Sequence, residues 1–125
     1  MPRYSTSLSP PGPVATVRVV HPATGAESDD FAGKLDTGAD MSVLPETLVR
    51  RLGVPPWGRV RAKGFDGSDS QHLVYYVRLV VEGFPLPAVR CMSAHRDDAL
   101  LGRDVLNQFI VTLDGKHLAF EMRDP

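Results

Sequence analysis

The chain has 125 residues, enough for one domain with its own hydrophobic core and little more. Its 14 Lys and Arg against 15 Asp and Glu leave a formal charge of −1, so no strong field draws it to nucleic acid or anionic lipid. Cys91 is the only cysteine, which excludes an internal disulfide and leans toward a cytoplasmic protein. The longest apolar run, HLVYYVRLVV, is broken by Arg78 and is too short to span a bilayer, so no membrane partner is expected. The opening MPRYSTSLSPPGPV lacks the apolar stretch of a secretory signal.

Residues 1–13 are rich in Ser, Pro and Gly and are expected to form a flexible arm ahead of a domain spanning 14–125. From Val14, VATVRVV alternates around Arg18, TGAESDD supplies turn chemistry, and FAGKL returns toward Asp36, which predicts a hairpin. PETLVRRLG has proline at a helical first turn, Glu46 early, arginines late and Gly53 as a stop. It predicts a short helix from about 45 to 52. Three strand runs follow, WGRVRAKGF, SQHLVYYVRLVVEG and PLPAVRCMSA, with DGSDS as a polar tip between the first two. ALLGRDVLNQF begins as an apolar strand, breaks at Gly102 and leaves room for one or two helical turns. IVTLDGKHLAFEM reads as a hairpin around Asp114 and Gly115. Strands dominate and the helices are short, so the fold class is mainly β, a closed or folded-over sheet.

The stretch LDTGADMSVLP places Asp36 and Asp40 around Gly38 where an apolar strand runs out. A carboxylate activates water for attack on an amide when a second carboxyl beside it carries the proton. Two like acids at one site share a proton because their repulsion opposes ionising both. The chain supplies one such turn, since FDGS at 65 to 68 lacks the apolar strand-end context and the following motif.

LDTGAD followed later by ALLGRDVL resembles the retroviral-type (retropepsin-like) aspartic proteases. Their hallmarks are an Asp-Thr/Ser-Gly-Ala turn and a later apolar pair followed by Gly-Arg-Asp/Asn and a short helix. The similarity runs from about Val14 to Met122. It implies an acid-protease barrel with a flap hairpin and one or two short helices, an aspartic endopeptidase activity without cofactor or metal, and a peptide or protein substrate. One acid turn per chain then implies a homodimer that sets Asp36 opposite its own copy.

Carried onto these residues, the resemblance makes Asp36, Thr37 and Gly38 the catalytic turn, with Thr37 bonded across to the other subunit's turn. Ala39 and Asp40 would contact substrate, with Asp40 also paired to Arg103. Leu100, Leu101, Gly102 and Arg103 would support the turn from below. Phe65, Asp66, Gly67 and Ser68 would form a flap that closes over bound peptide. The closing hairpin IVTLDGKHLAFEM looks more like cellular members of the family, and its strands are expected at the dimer interface.

Some positions depart from the family pattern. Lys34 stands where an apolar pocket residue is usual and Asp98 near the matching place before ALLGR, so the two are expected to face one pocket and favour more polar substrates. Met41 replaces an acid common in retroviral enzymes. His21, His72, His95 and His117 have no paired metal-ligand spacing, and Cys91 with His95 is a poor candidate for a thiol nucleophile. The competing functional class is a catalytically silent dimerisation or peptide-binding module on the same fold.

Overall fold

In the computed structural model, which describes residues 1–64 and 66–125, strands carry the chain and two short helices interrupt it. The strands are β1 (Val14–Val20), β2 (Phe31–Leu35), β3 (Val43–Pro45), β4 (Gly58–Lys63), β5 (Asp69–Val81), β6 (Phe84–Ala94), β7 (Ala99–Leu101), β8 (Ile110–Asp114) and β9 (Ala119–Arg123). Helix α1 is Glu46–Arg51 and α2 is Arg103–Leu106. β1 to β7 form one seven-stranded sheet in the order β1-β2-β7-β3-β6-β5-β4, and a further β1–β5 pairing closes six of these strands into a barrel. β8 and β9 form a separate two-stranded sheet.

The alternation in the sequence sets which side chains turn inward. In β1, Ala15, Val17 and Val19 are buried while Thr16 and Arg18 lie between them on the other face, the period of two expected of a strand with one covered side. β1 pairs antiparallel with β2, Val14 opposite Lys34 and Val17 opposite Phe31, which is the hairpin predicted from TGAESDD. Gly33 on β2 is buried, and a Cβ there would lie 2.5 Å from Val17 Cγ2 and 3.2 Å from Leu101. The missing side chain lets these two strands approach. β2 pairs on its other side with β7, in parallel, Leu35 opposite Leu101. The two halves of the resemblance motif are therefore neighbouring strand ends.

β5 serves two partners along one edge. Its first half pairs with β4, from Lys63 opposite Asp69 to Gly58 opposite Val74, and its last residues pair with β1, Val17 opposite Val81. Against β6 the register shifts between Val77 and Leu79. Such an irregularity bends a strand and increases its twist, which a long strand needs to close a barrel at one end and flare outward at the other. β4 hangs from the flared part as an edge strand.

Helix α1 matches its sequence signals to within a residue at each end. Glu46 occupies the first turn and Arg50 and Arg51 the last, complementing the helix dipole, and Arg50 reaches Glu46 at 2.7 Å. Gly53 takes φ +75° just past the end, as a left-handed stop requires. The core beneath is apolar and continuous, with Phe120, Leu44, Leu79, Leu101, Val17 and Val105 among the fully buried side chains.

The first thirteen residues make defined contacts, where the sequence predicts a free arm. Tyr4 N–H donates to the Leu118 carbonyl at 2.8 Å and Phe120 N–H to the Pro2 carbonyl at 3.0 Å, so the arm lies along β9. The Tyr4 ring packs near Phe120, centroids 6.3 Å apart. An unpaired edge of a two-stranded sheet offers backbone groups that a passing segment can satisfy whatever its composition.

Candidate active site

The acid turn begins where β2 ends. Leu35 N–H donates to the Pro13 carbonyl at 3.2 Å, and Asp36 N–H donates to the Leu101 carbonyl at 2.9 Å, so the aspartate leaves the sheet between two neighbouring segments. The chain then reverses through Thr37 and Gly38. Gly38 N–H donates to Asp36 Oδ1 at 2.8 Å and Ala39 N–H to the Asp36 carbonyl at 3.3 Å. A Cβ on Gly38 would stand 3.1 Å from that same Oδ1, so glycine lets the amide come up to the carboxylate.

The second motif binds the turn from beneath. Arg103 donates through Nη1 to the Thr37 carbonyl at 2.8 Å and through Nη2 to Asp40 Oδ1, while its backbone N–H donates to the Ala39 carbonyl at 2.9 Å. The expected Asp40–Arg103 pair thus forms, with one guanidinium also holding the turn's backbone, a task suited to a planar fork of donors. The side chains are 87% and 45% exposed, so the ion pair itself is screened by solvent. Gly102 passes directly under the turn. A Cβ there would meet the Ala39 carbonyl oxygen at 2.8 Å and the Met41 carbonyl carbon at 3.0 Å.

An open cavity of about 350 Å³ is lined by Gly38, Ala39, Asp40 and Met41 of the turn, by Leu100, Val43 and Met92, and by the β4 residues Val60 to Lys63. Of the expected substrate contacts, Ala39, Asp40 and Met41 line it, and so does Leu100, which the sequence places in a supporting role. Lys34 and Asp98 are not among its lining residues. Lys34 is exposed on β2, and the Asp98 carboxylate is taken by Arg96, at 2.9 Å from Nε and 2.8 Å from Nη2. Among the described residues no ion pair joins Lys34 to Asp98.

The β4–β5 connection is a tight turn. Gly64 N–H donates to the Ser68 carbonyl at 2.9 Å and Gly67 N–H to the Gly64 carbonyl at 3.0 Å, with Gly67 at φ +83°. Phe65, expected at this tip, lies outside the described residues. Asp66 Oδ1 accepts from the Ser68 hydroxyl at 2.7 Å and the Ser68 N–H at 3.0 Å. The hydroxyl first and the amide second hold the Asp66 carboxyl below the usual carboxylate range. A depressed pKa gives stability that is full above the unfolded value and lost as pH falls through the folded one. The tip turn is therefore expected to persist through mildly acidic solution and to open only in stronger acid. In an NMR titration the Ser68 amide should show its midpoint below that of an unstructured aspartyl peptide, and a midpoint at or above it would contradict the turn.

Sequence reasoning passed over Ser42 and Asp104. Ser42 is fully buried. Its hydroxyl donates to Asp104 Oδ1 at 2.7 Å and accepts from Gly102 N–H at 2.9 Å, and its own N–H donates to Asp104 Oδ2 at 3.0 Å. The available signal was Asp104 itself, next to Arg103 in the GRD triplet. Elsewhere Cys91 is buried, and burial first and the nearby Asp104 charge second push its thiol well above the ordinary range. His95 is 92% exposed and sits by Glu46, so the two do not make a nucleophile and base. Among the described residues, no three His, Cys, Asp or Glu side chains cluster as a metal site, and no helix is long and apolar enough to cross a membrane.

Residues 29–108, more than half of the chain, match the family model described as "gag-polyprotein putative aspartyl protease". The chain belongs to that family. The matched span holds the acid turn, β4 to β7 and the GRD triplet of this aspartyl protease family member. Solved structures share the fold. EIAV protease complexed with the inhibitor HBY-793 is 26% identical with a TM-score of 0.59, over 77% of this chain and 86% of that one. Simian Foamy Virus (mac) protease is 19% identical with a TM-score of 0.55, over 76% and 92%. A retropepsin-like aspartic protease from Rickettsia conorii is 16% identical with a TM-score of 0.54, over 89% and 93%. No curated protein sequence matches.

Proposed function

We propose that the protein is an aspartic endopeptidase that works as a homodimer, its water held between Asp36 and Asp36 of the partner subunit. The observation that carries this reading is the acid turn. Asp36 follows β2 with its backbone fixed to Leu101 and its carboxylate fixed to Gly38, and the turn residues after it, Gly38 to Met41, line a cavity of about 350 Å³ together with β4. A single chain contributes one such carboxylate, and a twofold axis through the turn supplies the second.

In such a dimer the two carboxyls share one proton. The ionised one takes a proton from water as its oxygen attacks the amide carbon, and the protonated one gives its proton to the carbonyl oxygen. Transfer of a proton to the amide nitrogen then lets the C–N bond break, with no covalent bond between enzyme and substrate. Thr37 braces the turn of the partner subunit, and Ala39, Asp40 and Met41 hold the peptide backbone and side chains along the cavity. The β4–β5 tip, Asp66 to Ser68, closes over the peptide and excludes water. The β8–β9 hairpin, with Ile110 and Leu113 exposed, supplies the apolar contact between subunits.

The decisive experiment combines mass in solution with cleavage of a broad peptide mixture, with and without an inhibitor that mimics the tetrahedral transition state. A dimer that cuts best in acid and is blocked by the inhibitor is expected. A rate that keeps rising above neutral pH contradicts the shared proton, and a well-formed dimer that cuts nothing favours the silent binding module.

A further inference from the structure

We propose that Ser42 and Asp104 form one positioning unit that fixes the backbone of Asp36 through the Leu101–Gly102 peptide, an inference that rests on the endopeptidase reading. Three stretches of backbone meet at Ser42, and every polar atom of the residue is used. Its carbonyl accepts from Met92 N–H of β6 at 3.0 Å, its N–H donates to Asp104 Oδ2, and its hydroxyl links Asp104 Oδ1 to the Gly102 amide. Asp104 Oδ1 also accepts from Val105 N–H at 2.9 Å. The carboxylate therefore takes three donors, which an ionised acid can accept and a neutral amide of the same shape cannot fully accept.

The unit reaches the reacting group through a single peptide group, Leu101–Gly102. Gly102 is held by the Ser42 hydroxyl, and the carbonyl of Leu101, the preceding residue, receives Asp36 N–H. Gly102 lies close beneath the turn, since a Cβ there would stand 2.8 Å from the Ala39 carbonyl oxygen. Releasing the Gly102 amide frees the Leu101–Gly102 peptide to tilt, and Asp36 tilts with it. Neither Ser42 nor Asp104 touches the reacting carboxylate, so both are positioning residues.

The test uses two variants of the full chain. Ser42→Thr and Ser42→Val add side chains of equal shape to a packed site, and only Thr keeps the hydroxyl. The measurements are kcat and KM on a peptide cut by the wild type, hydrogen exchange of the Gly102 amide, and the Asp36 amide shift. The Thr variant should keep kcat within about threefold, while the Val variant should lose about 10- to 100-fold in kcat with little change in KM, the scale of a small misplacement of a catalytic group. Gly102 exchange should speed up and the Asp36 amide shift should move in the Val variant alone. Equal kcat and equal exchange in the two variants overturn the proposal. Where both lose the fold, Asp104→Asn carries the same test, and a wild-type kcat and Gly102 exchange rate there overturn it. Cleavage that survives Asp36→Asn defeats the endopeptidase reading instead, so the two failures are told apart.

Discussion

Replacing Asp36 by Asn is expected to reduce kcat by at least about a thousandfold while leaving the fold and the dimer in place. The amide has the shape of the acid, and its oxygen can still accept from Gly38 N–H, so the turn keeps its geometry. In a symmetric dimer the substitution removes both carboxylates together, leaving neither a base for water nor an acid for the carbonyl oxygen. Thermal midpoint and solution mass should match the wild type. Mixing experiments sharpen the result. When wild-type and variant chains are refolded together in equal amounts, random pairing leaves roughly a quarter of the dimers with two aspartates. Activity should therefore fall to about a quarter, whereas a site complete within one chain would retain about half. Cleavage above a few per cent in the pure variant, or retention near half in the mixture, contradicts the shared dyad.

The second large effect is expected at Gly102. An alanine there places its Cβ 2.8 Å from the Ala39 carbonyl oxygen and 3.0 Å from the Met41 carbonyl carbon, and both obstacles are backbone. Side chains can change rotamer to admit a methyl group, but these atoms cannot move without shifting the acid turn. Overpacking of this kind costs about 1–3 kcal/mol, with the rigid surroundings placing this case at the upper end. For a domain of this size that lowers Tm by on the order of 10 °C. Activity should fall further than stability, because the displacement is transmitted to Ala39 and through Leu101 to Asp36. Thermal melts and kcat measured well below the melting range check both halves. A Gly102→Ala protein with wild-type Tm would show that the turn yields easily.

The features legible in the sequence are those written in local chemistry. The TGAESDD and LDG turns announce their hairpins, Glu46 and Gly53 bracket α1, and the mainly β class follows from alternating runs, with the barrel implied by the resemblance. The pairing of Asp40 with Arg103 was legible through the resemblance, because both residues belong to its motifs. Contacts made by ordinary residues at long range were not. A buried serine such as Ser42 reads like any polar loop residue until Asp104 and Gly102 are brought to it by β7 and α2. The arm looked free because its composition cannot build a core, yet its order comes from the open edge of β9 and the Phe120 ring rather than from itself. Lys34 and Asp98 looked like pocket partners because they precede neighbouring motifs. Arg96 sits two residues from Asp98 and captures its carboxylate locally, where little chain entropy opposes the contact.

The placement of β2 inside the sheet also bears on when the site comes into being. Asp36 lies in the first third of the chain, but its amide is held by Leu101, and Leu35 is held by Pro13. During synthesis the aspartate emerges early and stays on a strand that has one neighbour, until β7 arrives to flank it on the other side. Only then is the turn braced, and in the proposed homodimer the two carboxylates meet only after a second finished copy docks. As the proposed homodimeric endopeptidase, a chain built this way is harmless until it is finished, and its own concentration sets the moment at which it can begin to cut.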